Sequence, residues 1–338
     1  MAKLSLPLLL LALLIVFTTS FSCPQHQKEA LLHFKASLSN VTSFPSDKEY
    51  LLSLFESWNS SSDCCDWEMV SCNPHFGSRN VIALYMGNSF EQLEPMVLAS
   101  SILTPLFHIR SLTHLDLSWS RIQGELPGDG IANLTKLIHL DLSGNHFSGS
   151  IPSQIFNLSY LQYLCVDYNS FNGNIPKEIG NKTKLQTLSL QHNNLFGKIP
   201  SSILILKELK SLDLSYNSLS MEIPIDIGNL SNIISLNFKD NGLTGTIPSS
   251  IRKLPKLEKL ELENNLFIGE IPSWLFNITG LKSLFLGGNI SFGITKQRLF
   301  QSLRYQSCLW GLVVLQEEFH SGFLCLRILL FWTWVTAS

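Results

Sequence analysis

Leu137-Ile138-His139-Leu140-Asp141-Leu142-Ser143-Gly144-Asn145-His146-Phe147-Ser148-Gly149-Ser150-Ile151-Pro152 decides the fold, because its pattern returns every 24 residues. One period on stand Leu161, Leu164, Val166, Asn169, Phe171, Gly173, Ile175 and Pro176, and then Leu185, Leu188, Leu190, Asn193, Leu195, Gly197, Ile199 and Pro200. Further copies start at Leu209, Ile233 and Leu257. A slightly longer one starts at Leu112, and a last one at Leu281 fails after Asn289. Eight copies in register mean a solenoid of stacked coils.

Each column of the repeat has a mechanical reason. Around Leu140 and Leu142 the alternation is strand-like, with the leucines facing in and Asp141 facing out. A single coil cannot bury its leucines, so neighbours must stack into one parallel sheet. The column Asn145, Asn169, Asn193, Asn217, Asn241, Asn265 and Asn289 sits where the chain leaves the strand. There an amide can satisfy backbone groups that the turn would otherwise bury unpaired. The glycine column permits positive φ or close approach and is broken at Met221, where we expect a locally adjusted coil. Prolines 127, 152, 176, 200, 224, 248 and 272 remove a donor and end regular pairing on the outer side.

L-x-x-L-x-L-x-x-N-x-L is the leucine-rich repeat pattern. The phrase inside it, Gly149-Ser150-Ile151-Pro152 and again Gly245-Thr246-Ile247-Pro248, resembles the plant class of extracellular leucine-rich repeats. That class includes receptor-like proteins, receptor kinases and polygalacturonase-inhibiting proteins, and the resemblance covers residues 23–291. It implies an α/β solenoid: a leucine-rich repeat superhelix with a concave parallel β-sheet and a helical, disulfide-bonded N-terminal cap.

The organisation follows in chain order. Residues 1–22 carry Lys3, the apolar run Leu4–Phe17 and a small-residue end, and read as a secretory signal peptide. Residues 23–80 are the expected cap. Ala30, Leu31, Phe34 and Leu38, and then Leu51, Leu54, Phe55 and Trp58, sit at helical spacing and predict two amphipathic helices. Cys23, Cys64, Cys65 and Cys72 allow three connectivities, and a zinc site competes with disulfides except that the secretory route is oxidising. The segment Glu29–Lys35 with Asp63–Cys72 resembles the cap of plant leucine-rich repeat proteins, which implies the bridges Cys23–Cys64 and Cys65–Cys72. Residues 81–111 hold a first strand at Val81–Met86 and an imperfect segment. Within it, Leu98–Phe107 resembles plant receptor-like proteins more than the inhibitors. Residues 112–291 are the eight repeats, the last incomplete. Residues 292–338 match nothing in the family, and we expect translated intron or a frameshift there. The apolar run Phe323–Val335 spans 13 residues and contains Arg327, too short and too charged for a transmembrane helix.

Function is sought on the outward strand positions. One column reads Asp116, Asp141, Cys165, Ser189, Asp213, Asn237, Glu261 and Phe285. The next reads Trp119, Gly144, Tyr168, His192, Tyr216, Asp240, Asn264 and Gly288, and a third His114, His139, Tyr163, Thr187, Ser211, Ser235, Lys259 and Ser283. Nothing in the fold asks for exposed aromatics with polar tips, which are enriched at binding hot spots, although tyrosines also suit strands. The ligand-binding candidates are His114, Asp116, Trp119, His139, Asp141, Tyr163, Asp167, Tyr168, Gln191, His192, Tyr216, Lys239, Asp240, Glu261 and Glu263. The two histidines with their aspartates could hold a metal, but a solvated strand face is the simpler reading, and no metal or cofactor is expected. Cys165 reads as a free thiol. Sequons at Asn133, Asn157, Asn181, Asn229 and Asn277 share one place in the repeat, away from the concave face. With Asn40 and Asn59 they are expected to carry glycans, whereas Asn289 opens the failing coil and is doubtful.

The net charge of −2 and the lack of a Lys/Arg cluster argue against a nucleic-acid partner, and 45% hydrophobic residues suffice for a continuous core. No motif of hydrolase, metalloprotease, phosphate-loop or kinase type occurs, so catalysis is not expected. The residues and the resemblance together predict an extracellular recognition module, secreted or held at the cell surface, that binds a peptide, protein or glycan on its concave face. It would signal only through a partner such as a co-receptor kinase. A secreted polygalacturonase-inhibitor-like protein and a truncated, nonfunctional product are the alternatives.

Overall fold

The computed structural model describes residues 22–39, 45–74, 79–90, 97–181 and 184–289, and the backbone alone of strands at 291–292, 313–320 and 323–330. The expected signal peptide, apart from Ser22, and the Asn40 sequon lie outside the described residues. The chain divides into two compact units, Met1–Phe147 with Leu158–Leu161, and Ser148–Asn157 with Gln162–Ser338.

The first unit opens with helices Gln25–Leu38 and Pro45–Leu54. The second helix stops short of the expected Phe55 and Trp58, which are nevertheless buried in the turn that follows. There Phe34, Phe55 and Trp58 pack edge to face, with centroids 5.9 Å apart for Phe34–Phe55 and 4.7 Å for Phe55–Trp58. The disulfides are Cys23–Cys64 and Cys65–Cys72, as the resemblance implied. Buried Gln27 ties this cap to the first coil: its Oε1 accepts from Val81 N at 2.8 Å and its Nε2 donates to Ser111 Oγ at 3.0 Å. Val81–Tyr85 pairs antiparallel with Val70–Cys72 and parallel with His114–Asp116, which in turn pairs with His139–Asp141.

In the second unit, six strands run parallel and in register from Tyr163–Cys165 to Ser283–Phe285, placing Tyr163, Thr187, Ser211, Ser235, Lys259 and Ser283 side by side. In both units the repeat leucines, among them Leu140, Leu164, Leu188, Leu212, Leu236 and Leu260, are fully buried. Each such side chain is worth about 1.5–3 kcal/mol against exposure. The units are therefore runs of stacked leucine-rich coils.

The asparagine column does what its position predicts. Asn145 Oδ1 accepts from Ser120 N and Ile122 N at 3.1 and 2.9 Å. Its Nδ2 donates to the carbonyls of Leu117, Leu142 and Ser143 at 2.7, 3.0 and 3.1 Å. Asn193, Asn217, Asn241 and Asn265 repeat the arrangement, each bonding its own turn and the coil before it.

Three features were not foreseen. A second set of parallel strands follows the turn, at Ser170–Gly173, Asn194–Gly197, Ser218–Glu222 and Gly242–Thr244 in the second unit. Each proline then does more than end this pairing. From Pro152 on, its carbonyl accepts the N–H three residues on, as Ile179 N to Pro176 O at 3.1 Å and Ile203 N to Pro200 O at 3.0 Å, and starts a tight 3-10 turn, whereas Pro127 accepts from Ile131 N and starts an α-helical turn. The expectation of an adjusted coil at Met221 is corrected. Met221 keeps the left-handed conformation (φ 68°) that Gly173, Gly197 and Gly245 have at φ 84°, 79° and 76° in their coils. Strand pairing on that side, with Met221 beside Leu243, outweighs the steric penalty of its Cβ.

Candidate ligand-binding face

The second outward column is not part of the strands. Trp119, Tyr168, His192, Tyr216, Asp240 and Asn264 lie just beyond them, all in the left-handed region at φ 50–53°. Gly144 and Gly288 hold the same place at φ 66° and 71°. The backbone there favours Gly, Asn, Asp or His, so Trp119, Tyr168 and Tyr216 sit against local preference.

Three of these aromatics form a ladder. Tyr168 and His192 stack with centroids 4.4 Å apart and 17° between planes, and His192 and Tyr216 at 4.0 Å and 8°. The coil spacing of a parallel sheet, about 4.8 Å, brings the rings to stacking distance once they share a column. Gln191 Nε2 donates to the Tyr168 hydroxyl at 3.1 Å. The far end is closed by Lys239, whose ammonium lies 5.5 Å from the Tyr216 centroid and 3.4 Å from Glu263. Burial pulls Lys239 down, but the hydrogen bond to Tyr216 and the Glu263 carboxylate outweigh it and hold the ammonium above its ordinary value. Glu263 is only 5% exposed, so it serves to hold Lys239. Asp240 accepts from Asn264 Nδ2 at 2.9 Å, and Glu261 pairs with Lys259 at 2.9 Å.

The aspartates do structural work as well. Asp141 Oδ1 accepts from Ser143 N and Oγ at 2.9 and 2.6 Å, and Asp116 and Asp213 bind Ser118 and Ser215 in the same way. This is an Asp-x-Ser turn. Two neighbouring coils lack it and share a substitute. Where Asp would stand the chain has Cys165 and Ser189, and Asp167 reaches across to accept from Ser189 Oγ and Gln191 N, both at 2.8 Å. Burial pushes the Asp167 carboxyl above its ordinary value, and nearby Asp213 adds to that, while these hydrogen bonds resist. Cys165 stands outside the disulfides, as expected, but it is buried and hydrogen-bonded to Asp167 and not on the exposed face.

In the first unit His114 and His139 stack with centroids 5.7 Å apart, and His114 Nδ1 lies 2.9 Å from Thr113 Oγ1. Burial holds His139 below its ordinary value; Asp141 and Asp116 resist this and His114 reinforces it. Among the described residues the one group of possible metal ligands is Cys23, Asp63, Cys64 and Cys65, whose sulfurs are tied in disulfides. Tyr85, missed in the sequence, joins the face: it stands beside Asp116, half-exposed, with its ring 6.5 Å from His114. Its coil lacks the asparagine that marks those from Leu137 on, and the alternation Leu84-Tyr85-Met86 was the available signal.

Tyr163 is half-buried in its strand. Of the sequon asparagines, Asn59, Asn157, Asn181, Asn229 and Asn277 are exposed and Asn133 is half-buried. The last four exposed ones lie at or beside the ends of 3-10 turns, away from the strands. Asn289 spends its amide on the carbonyls of Leu262, Leu286 and Gly287. No helix among the described residues is long and apolar enough to cross a membrane.

Comparison with known proteins agrees with this geometry. Residues 24–73 match the leucine rich repeat N-terminal domain. Residues 136–158, 184–206, 208–230, 232–254 and 256–278 match the Leucine Rich Repeat, and a further repeat model matches 108–125. Receptor-like protein 46 of Arabidopsis thaliana is 46% identical over 144 residues, 41% of this chain and 16% of that protein. Receptor-like protein 50 of the same plant is 34% identical over 139 residues, 41% of this chain and 15% of that protein. The chain thus spans a small part of these relatives. Among solved structures, the ectodomain of the Arabidopsis receptor kinase HAESA with an IDA peptide hormone superposes with a TM-score of 0.64 at 33% identity, covering 76% of this chain and 40% of that one. HAESA with IDA and the co-receptor SERK1 gives a TM-score of 0.55 at 32% identity, covering 71% and 45%. A plant ice-binding protein gives 0.57 at 26% identity, covering 82% and 92%. With its cap and its repeats the chain belongs to the leucine-rich repeat proteins, and the relatives it resembles are plant receptor-like proteins.

Proposed function

We propose that this chain is an extracellular recognition module that binds a short peptide along the strand face of the second unit, without catalysis, and signals through a partner kinase. The observation that carries this reading is the ladder Tyr168–His192–Tyr216 closed by Lys239. It presents phenol, imidazole and ammonium groups along one line, and its three rings are stacked on left-handed positions. Preorganised aromatic anchors with polar edges suit an extended peptide, whose backbone amides need donors and acceptors at regular spacing. The peptide-bound HAESA ectodomain and its co-receptor complex support both halves of the reading. A repeated lattice, as a crystalline ligand would need, fits less well, because the strand column changes from Tyr163 to Thr187, Ser211 and Lys259.

The test is selection from a random peptide library displayed on phage, against protein secreted from plant cells. Enriched sequences should bind the wild type and lose at least about tenfold in affinity when Tyr168, His192 and Tyr216 are replaced together by alanine. Failure to enrich any sequence, or equal affinity for that variant, would defeat the reading.

A further inference from the structure

The first unit carries a separate feature that a peptide ladder does not explain. Trp119 is 50% exposed although it is the largest side chain on its face. Its backbone is left-handed at φ 51° and pinned by a hydrogen bond from its N–H to Ser143 O at 2.7 Å. A Cβ built on Gly144, the next residue in the column, would land on Cδ2, Cε2 and Cε3 of the indole, the atoms around the ring fusion. The ring therefore lies over the Gly144 backbone, and half of the side chain stays exposed to solvent. On the strands of the same two coils, His114 and His139 stack, and Asp116 and Asp141 stand in register. The result is a flat apolar platform flanked by imidazoles and carboxylates.

A pyranose with equatorial substituents is complementary to such a surface. One of its faces is a patch of axial C–H groups that packs on an aromatic face, while its rim of hydroxyls requires both donors and acceptors. A peptide side chain buries apolar area best in a pocket, and here there is a plane. The two aspartates also oppose a uronic acid. We propose that these coils bind a neutral β-1,4-linked oligosaccharide, with Trp119 as the stacking platform and His114, His139, Asp116 and Asp141 contacting its hydroxyls. This site is independent of the peptide reading, which rests on residues of the other unit.

The experiment is calorimetric titration of the full chain with cellohexaose and, separately, with chitohexaose, alongside tryptophan fluorescence. At least one hexasaccharide should bind and perturb the emission. Trp119→Asn should weaken binding at least about tenfold. It should leave the unfolding midpoint unlowered, because asparagine accepts this backbone, as Asn264 does at φ 50° in the same column. Gly144→Ala, which forces the indole off its seat, should weaken binding as well, and Tyr216→Ala should leave it unchanged. No binding of either sugar at millimolar concentration would overturn the proposal. So would affinity that survives Trp119→Asn, or affinity that depends on Tyr216 in its place.

Discussion

Tyr168 and Asn169 are neighbours in the chain and obey opposite rules. Asn169 turns inward and donates to the carbonyls of Val166 and Asp167, as its counterparts do in every coil from Asn145 to Asn289. Tyr168 turns outward, and its column holds Trp, Gly, Tyr, His, Asp and Asn on one shared left-handed backbone. The inward residue has no freedom, because removing its amide strands several backbone groups in an apolar interior. The outward one pays a modest steric cost and is otherwise unconstrained. Identity on one side of a peptide bond specifies the fold, and variety on the other is where recognition has room to develop.

The largest test of this contrast is Asn145→Ala, which leaves Ser120 N, Ile122 N and three carbonyls without their partner. We expect a loss of about 3 kcal/mol, read from denaturant unfolding, with amide exchange at Ile122 sharply faster. A loss no greater than at an exposed site would break the comparison. Next come the rungs of the ladder: a double-mutant cycle of His192→Ala and Tyr216→Ala should give a coupling of about 1 kcal/mol. Zero coupling would mean that the rings are neighbours without being partners. Met221→Gly should stabilise by about 1 kcal/mol by removing a Cβ from a left-handed residue, seen as a higher thermal midpoint. A lower one would show that the exposed Met221 side chain has a contact worth more than its strain.

The smallest effects are electrostatic. His139 is held below its ordinary value of 6.5, chiefly by burial, so the folded state prefers it neutral. Stability should therefore fall as pH drops through 6.5 toward the depressed value, and His139→Gln should flatten that slope. Asp167 has the opposite sign: its carboxyl is held above the ordinary 3.8, so its contribution weakens as pH rises from there through the raised value. Thermal midpoints across mildly acidic pH for the wild type and the His139→Gln and Asp167→Asn variants separate the two.

The period, the strand columns, the asparagine turns and the two cap helices were legible because each is an apolar or polar choice forced at a fixed spacing, whereas the disulfide pairing of the cap was implied by the family resemblance alone. The second strand set was not, since Asn194-Leu195-Phe196-Gly197 is too short to show a period of two by itself. The left-handed column was hidden by its own aromatics, which usually signal extended backbone. The ladder was half visible: Tyr168, His192 and Tyr216 stand 24 residues apart, but stacking depends on side-chain direction. The Asp167 exchange could not be read at all, because it joins two coils through hydrogen bonds that no single repeat contains.

That exchange bears on how such a chain can change length. Most joints between coils are interchangeable, since each next coil brings the same asparagine, and unequal crossing-over could add or remove a 24-residue cassette without a mismatch. The joint after Asp167 is different. Deleting residues 185–208 would set Asp167 against a coil whose Ser215 amide is already satisfied by its own Asp213, so two carboxylates would compete for one turn. The coil of Tyr168 and the coil of His192 are therefore joined by a matched pair of turns, and a chain that lost one of them would keep an unmatched joint.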